Sequence, residues 1–145
     1  GPQPCPAWLC CLLPCLRNSR ENRLWSEAVP EDGEVLRGGR WVRMDSHSFV
    51  PGDVIRVKAG FRSPADLRVV QAAEGCQADK RLTLGATEPV LVSSSTPPSS
   101  AASGSVLLLG DLVVGGECVG VATATGNDCF IARAVKHKAW PPKAL

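Results

Sequence analysis

The sequence predicts a mainly β domain, and three observations carry that prediction. Fourteen Gly and twelve Pro punctuate 145 residues, a density that interrupts helices and suits short strands. Trp41 alternates with charged neighbours in Arg40-Trp41-Val42-Arg43, as a half-buried strand requires. Val106–Val114 and Cys118–Ala124 are apolar runs of the length expected for buried strands.

In chain order, Glu34–Arg37 and Arg40–Met44 flank Gly38-Gly39, a two-residue loop able to take the positive φ angles of a hairpin. Phe49–Asp53 contains Pro51-Gly52 and reads as a turn, followed by a strand over Val54–Val57. A proline-containing loop, Gly60–Asp66, leads into a strand over Leu67–Val70. Ser93–Ser105 is low in complexity and reads as a mobile loop. The runs Val106–Val114 and Cys118–Ala124 then supply two strands joined through Gly115-Gly116. Cys129–Lys138 reads as a short helix stopped by Pro141-Pro142. The organisation expected is a Cys/Pro-rich irregular or membrane-proximal leader over 1–27, a domain over 28–138 with its Ser/Pro-rich flexible loop at 93–105, and a tail over 139–145.

The length allows one core, and 44% hydrophobic with 21% charged residues is ordinary for a globular protein. Sixteen Lys and Arg against fourteen Asp and Glu leave +2, too little to suggest a nucleic-acid partner. No apolar run of about 18 residues is present to span a bilayer. Of seven cysteines, Cys5, Cys10, Cys11 and Cys15 crowd the start, while Cys76, Cys118 and Cys129 are scattered. That odd set resembles neither a secreted disulfide framework nor a zinc site, and the two histidines stand alone, so no metal and reduced thiols are expected. Cys10, Cys11 and Cys15 lie beside an apolar stretch followed by Arg17, Arg20 and Arg23. That arrangement suits acylation at a membrane surface, and equally a loose terminus.

No phosphate-loop, dinucleotide or nucleophile-elbow motif is present; the glycines between Gly110 and Gly126 read as strand turns. Asp53, Asp66 and Asp79 each stand beside a turn, where Asp bonds backbone amides more often than it moves protons.

The order of several plain pieces is more telling. Val50-Pro51-Gly52-Asp53-Val54-Ile55, then Gly60-Phe61-Arg62-Ser63-Pro64-Ala65-Asp66-Leu67-Arg68, then Asp79 leading to Gly85-Ala86-Thr87-Glu88-Pro89, resembles the actuator domain of P-type cation-transporting ATPases. The flavour is that of the sodium/potassium and proton/potassium pump group. Ala28-Val29-Pro30, Val35–Gly39, Gly116, Gly120, Thr125-Gly126 and Arg133 fit further positions of that pattern. The resemblance covers about Ala28 to Val135, and the ordered set is more specific than any piece.

The resemblance implies a distorted β jelly roll with short flanking helices. It implies a loop, T-G-E-S in the family, that rotates against an aspartyl phosphate on a separate domain, its Glu orienting the attacking water. Rotation of the domain couples hydrolysis to movement of the transmembrane helices. The implied partners are the phosphorylation and nucleotide-binding domains and transmembrane helices of a pump. ATP and Mg2+ are implied for the full-length pump but not for this chain. The implied setting is the cytosolic face of a membrane.

The sequence departs from that pattern at its centre. T-G-E-S falls on Leu84-Gly85-Ala86-Thr87, and only Gly85 is kept. Ala86 has no carboxylate to orient water, Thr87 keeps a hydroxyl, and Glu88 is a substitute acid only if the loop shifts. Gly52, Asp53, Pro64 and Asp66 are expected to hold turns. The chain lacks D-K-T-G-T, so it has no phosphorylated Asp of its own. Two readings follow: an actuator domain impaired in dephosphorylation, or a non-catalytic orphan β module, soluble in the cytosol or at a membrane surface, that binds a protein.

Overall fold

A computed structural model describes residues 20–95 and 97–142. Two antiparallel sheets face each other across one apolar core, and a second, smaller core joins the helices at one end.

Helix α1 spans Arg20–Ala28. Leu24, Trp25 and Ala28 share one face at helical spacing and pack into the smaller core. The expected irregular leader over 1–27 therefore ends in a regular helix. A segment this short gains its stability from the apolar face it docks rather than from its own propensity, which composition alone does not register. Cys10, Cys11 and Cys15 lie outside the described residues.

Strands β1 (Asp32–Arg37) and β2 (Arg40–Asp45) pair in register, Arg37 opposite Arg40. Gly38 and Gly39 close the hairpin with φ of 56° and 78°, the mirror-image turn that matches strand twist. The remaining elements are β3 (Val54–Lys58), β4 (Asp66–Ala72), β5 (Gln77–Asp79), α2 (Arg81–Leu84), β6 (Val90–Leu91), β7 (Val106–Leu107), β8 (Leu112–Val114), β9 (Glu117–Ala124) and α3 (Phe130–Lys136). One sheet has the order β2-β1-β3-β9-β4-β7 and the other β6-β5-β8. This is the mainly β, jelly-roll-like architecture expected. Val35, Ile55, Val57, Leu67 and Cys118 of the first sheet meet Ala78 and Val113 of the second. At the middle of β9, a Cβ on Gly120 would stand 2.9 Å from the Arg68 carbonyl oxygen and from Leu67 Cβ, so close strand packing requires glycine there.

The structure corrects three expectations. Val106–Val114 is two strands in different sheets, because Gly110 at φ 98° and a turn closed by Asp111 N–H on the Leu108 carbonyl (2.9 Å) carry the chain across. Helix α3 ends at Lys136, before the prolines, where Lys138 adopts φ 58°. Residues 139–142 are no simple tail: Trp140 is buried against Trp25, ring centroids 5.9 Å apart and nearly perpendicular. The Ser/Pro-rich stretch is closed at its base, where Ser93 N–H donates to the Gly104 carbonyl (3.0 Å) and Ser103 Oγ to that of Pro97 (2.8 Å).

Candidate functional site

The loop that follows α2 begins from a heavily anchored base. Asp79 Oδ1 accepts the Arg81 N–H at 2.9 Å, opening the helix. After one turn, Gly85 closes it in the left-handed region at φ 73°, its N–H on the Arg81 carbonyl at 2.9 Å, a glycine helix stop. A Cβ on Gly85 would also come within 2.9 Å of Pro142 Cβ.

Beneath the helix lies a buried ionic cluster. Lys80 and Asp111 are 1% and 0% exposed and form an ion pair. Lys80 Nζ also donates to the Val106 carbonyl (2.9 Å). Asp111 accepts from Thr83 Oγ1 (2.5 Å) and from Leu108 N–H (2.8 Å). Burial pushes the Asp111 carboxyl up, against the pull of Lys80 and these donors. From the other side, Trp140 Nε1 donates to the Leu82 carbonyl at 2.6 Å. The short helix is thus held to the β7–β8 turn and to the C-terminal segment. Ala86 is half-buried, and Thr87 and Glu88 are exposed before the chain enters β6. Glu88 makes no hydrogen bond or ion pair with a described residue.

Two further carboxylates, Asp53 and Asp66, are buried and bond backbone amides. Asp53 is buried and takes a two-pronged pair from Arg37, 2.8 and 3.2 Å, plus the Val50 N–H at 3.0 Å. The Arg37 guanidinium holds its carboxyl below the usual range, against the opposing effect of burial. Asp66 joins three elements, accepting from Leu109 N–H (2.8 Å) and from Phe130 N–H at the start of α3 (2.7 Å). Burial raises its carboxyl, while those donors and nearby Arg133 draw it down. Gly52 turns at φ 96° and donates its N–H to the Ala122 carbonyl at 2.8 Å. Pro64 is buried, its Cγ within 2.8 Å of a Cβ placed on Gly33. Asp53, Pro64 and Asp66 therefore belong to the frame, whereas Gly85–Glu88 form a loop exposed at Thr87 and Glu88. Phe61 is exposed, with the Arg43 guanidinium 5.6 Å from its ring centroid.

Lys80, Asp111 and Trp140 were missed as site-supporting residues. Lys80 and Asp111 are 31 residues apart, and no local spacing predicts their contact. A cleft of about 390 Å³ runs beside α2, lined by Leu24, Glu27, Arg62, Asp79, Arg81 and Leu112 among others. Among the described residues no three His, Cys, Asp or Glu side chains converge as a metal site would need. No helix among them is long and apolar enough to cross a membrane.

This arrangement of strands, anchored loop and helices has relatives. Residues 27–138 match the family model of the P-type ATPase actuator domain. The chain belongs to that family.

Similarity to individual members is consistent across the actuator domain. The chain is 29% identical over 118 residues to sodium/potassium-transporting ATPase subunit alpha-4 of Homo sapiens, covering 81% of this chain and 11% of that protein. It is 30% identical over 118 residues to subunit alpha-3 of Gallus gallus, covering 81% and 12%. Against potassium-transporting ATPase alpha chain 1 of Xenopus laevis it is 28% identical over 106 residues, covering 72% and 10%. The chain thus spans only about a tenth of the length of these relatives. Among solved structures it resembles a zinc-transporting PIB-type ATPase in the E2.Pi state, with a TM-score of 0.62 and 28% identity, covering 81% of this chain and 18% of that one. The E2P state of a zinc-transporting PIB-type ATPase gives a TM-score of 0.59 at 25% identity, covering 80% and 18%.

Proposed function

We propose that this actuator domain works within a cation-transporting P-type pump, bringing the Gly85–Glu88 loop against an aspartyl phosphate on a separate phosphorylation domain. The observation that carries this reading is the loop itself: exposed at its tip and anchored at its base by Lys80, Asp111, Thr83 and Trp140. A loop so supported moves with the domain as one body, which a rotation that places a group against phosphorus requires. ATP and Mg2+ act on the phosphorylation and nucleotide-binding domains of such a pump, and the transmembrane helices carry the ion. The domain's place is then the cytosolic face of the membrane.

The chemistry proposed for the loop is incomplete. Ala86 stands where the family pattern has Glu, and a methyl group neither accepts a hydrogen bond from water nor supports negative charge. Hydrolysis of the phosphoenzyme is therefore slowed, and the domain's contribution is mainly positional. Glu88, exposed two residues on, is not held by any described partner.

The test is made in the full-length polypeptide. Ala86→Glu is expected to accelerate loss of the phosphoenzyme by about a hundredfold, the scale of one well-placed catalytic group, whereas Glu88→Gln leaves the rate unchanged. A wild-type protein that already dephosphorylates at an ordinary pump rate, or an Ala86→Glu variant no faster, overturns the impairment. A full-length polypeptide that never forms a phosphoenzyme overturns the pump reading and leaves a binding module.

A further inference from the structure

Charge is distributed unevenly along the chain, and the fold collects the positive excess at one end. Residues 1–20 and 129–145 hold six Lys and Arg and no Asp or Glu, whereas residues 21–128 hold ten against fourteen. The formal +2 is therefore two cationic stretches attached to an acidic body. The structure brings those stretches together. Arg20 Nη2, at the start of α1, donates to the Pro142 carbonyl at 3.3 Å. Trp25 of α1 packs edge-on against Trp140, and α1 and α3 both bury their apolar faces in the smaller core. Lys138 precedes Pro142 by four residues, which span at most about 14 Å even when extended. The exposed residues Arg20, Arg23, Lys136 and Lys138 thus lie around one end of the domain. Arg17 and Lys143 adjoin that end in sequence, outside the described residues.

The fold itself asks little of these cations. The side chains of Arg23, Lys136 and Lys138 make no hydrogen bond or ion pair with a described residue. Arg20 and Arg23 stand in the first turn of α1, where the helix macrodipole disfavours positive charge. Glu21 is the one acid of that turn. Like charges gathered in this way repel one another, a cost that an external anion removes.

We propose that this end of the domain docks on the anionic headgroups of a phospholipid bilayer. Long, flexible Lys and Arg side chains suit a surface of dispersed negative charge, each contributing about fivefold in affinity. Ala7–Leu13, wholly apolar in sequence, precedes this end and offers the second, apolar signal that stable attachment to a bilayer requires. A nucleic acid is the poorer fit. Trp25 and Trp140 pack against each other and Trp140 is buried, which leaves no exposed aromatic platform for bases there among the described residues. The docked face borders the loop, since a Cβ on Gly85 would stand 2.9 Å from Pro142 Cβ. Docking holds whether or not the loop meets an aspartyl phosphate, so failure of either reading leaves the other standing.

The test uses the chain, with no lipid attached, and vesicles of phosphatidylcholine with or without phosphatidylserine, read by co-sedimentation. Binding is expected only where phosphatidylserine is present, and should fall steeply between low salt and about 0.5 M salt, where charges are strongly screened. Lys136→Gln with Lys138→Asn should weaken it about 25-fold, at about fivefold for each cation lost. Asn suits the positive φ of Lys138, and an unchanged melting temperature shows that this variant folds. Lys58→Gln with Arg68→Gln removes the same charge from exposed positions of β3 and β4. It should change binding by less than about twofold, because dispersed charges are screened beyond the Debye length. Equal binding to phosphatidylcholine alone would assign attachment to the apolar Ala7–Leu13 stretch and overturn the proposal. So would equal weakening by the two double variants, or no binding at low salt. Displacement from the vesicles by millimolar inorganic phosphate would mean a discrete phosphate site in place of a headgroup surface, and would overturn it too.

Discussion

At the residue scale, the buried carboxylates differ in what their charge contributes. Asp111 has no exposure, and Lys80 is its counter-charge. Removing one member of such a pair leaves an uncompensated charge in the interior, whereas removing both restores neutrality. Lys80→Met should lower unfolding free energy by about 3–5 kcal/mol. Lys80→Met with Asp111→Asn should recover a clear part of that loss in urea denaturation. No recovery would mean that the cost lies in packing of the Lys80 side chain. Asp53 responds to pH in a definite direction. Its folded carboxyl lies below the ordinary value of about 4, so the unfolded chain takes up the proton first. The stabilisation is complete above that ordinary value and is lost as pH falls through the depressed folded one. Asp53→Asn should therefore be less stable at pH 7 and lose less on acidification to pH 3, compared by denaturation at both. Equal acid sensitivity in the two proteins would remove Asp53 as a source.

At the element scale, α2 is only four residues long and cannot persist without outside support. Its start is set by Asp79 and its end by Gly85; in the sequence Asp79 stands beside a turn and Gly85 belongs to the family pattern. What holds it in place was not legible, because Lys80 pairs with a residue on a distant turn and Trp140 reaches in from beyond α3. Gly85→Ala places a side chain both at a positive φ and against Pro142. It should cost about 1 kcal/mol or more, read as a lowered melting temperature. Gly38→Ala, also at positive φ but with nothing within 4 Å, isolates the backbone part of that cost. Equal losses in the two variants would mean that contact with Pro142 contributes nothing. The strands β5 and β6 escaped sequence reading for a related reason: with three and two residues, they exist through pairing rather than through any periodicity of their own.

At the scale of the molecule, two cores serve different ends. The larger lies between the sheets and needs only correctly facing strands. The smaller gathers Ala28, Leu82, Leu109, Cys129, Ile131 and Trp140 from five separate stretches of chain. It is this second core that ties the loop's base to both ends of the domain. Truncation after Lys138 removes Trp140 from it, and Pro142 from beside Gly85. Hydrogen exchange should then rise at Arg81–Glu88 while amides of β1 and β3 keep their protection. Unchanged exchange at Arg81–Glu88 would show that Lys80 and Asp111 suffice to hold the loop.

The sequence by itself determined the β class, the Gly38-Gly39 hairpin and the ordered pattern of the actuator family. Each of these rests on local chemistry: a positive φ that glycine supplies, or a fixed order of residue types. Tertiary structure alone decided that Val106–Val114 divides between two sheets and that Arg20–Ala28 is a packed helix. It alone brought Lys80 to Asp111. Those outcomes depend on contacts between residues far apart in the chain, whose burial stabilises segments too short to specify their own conformation.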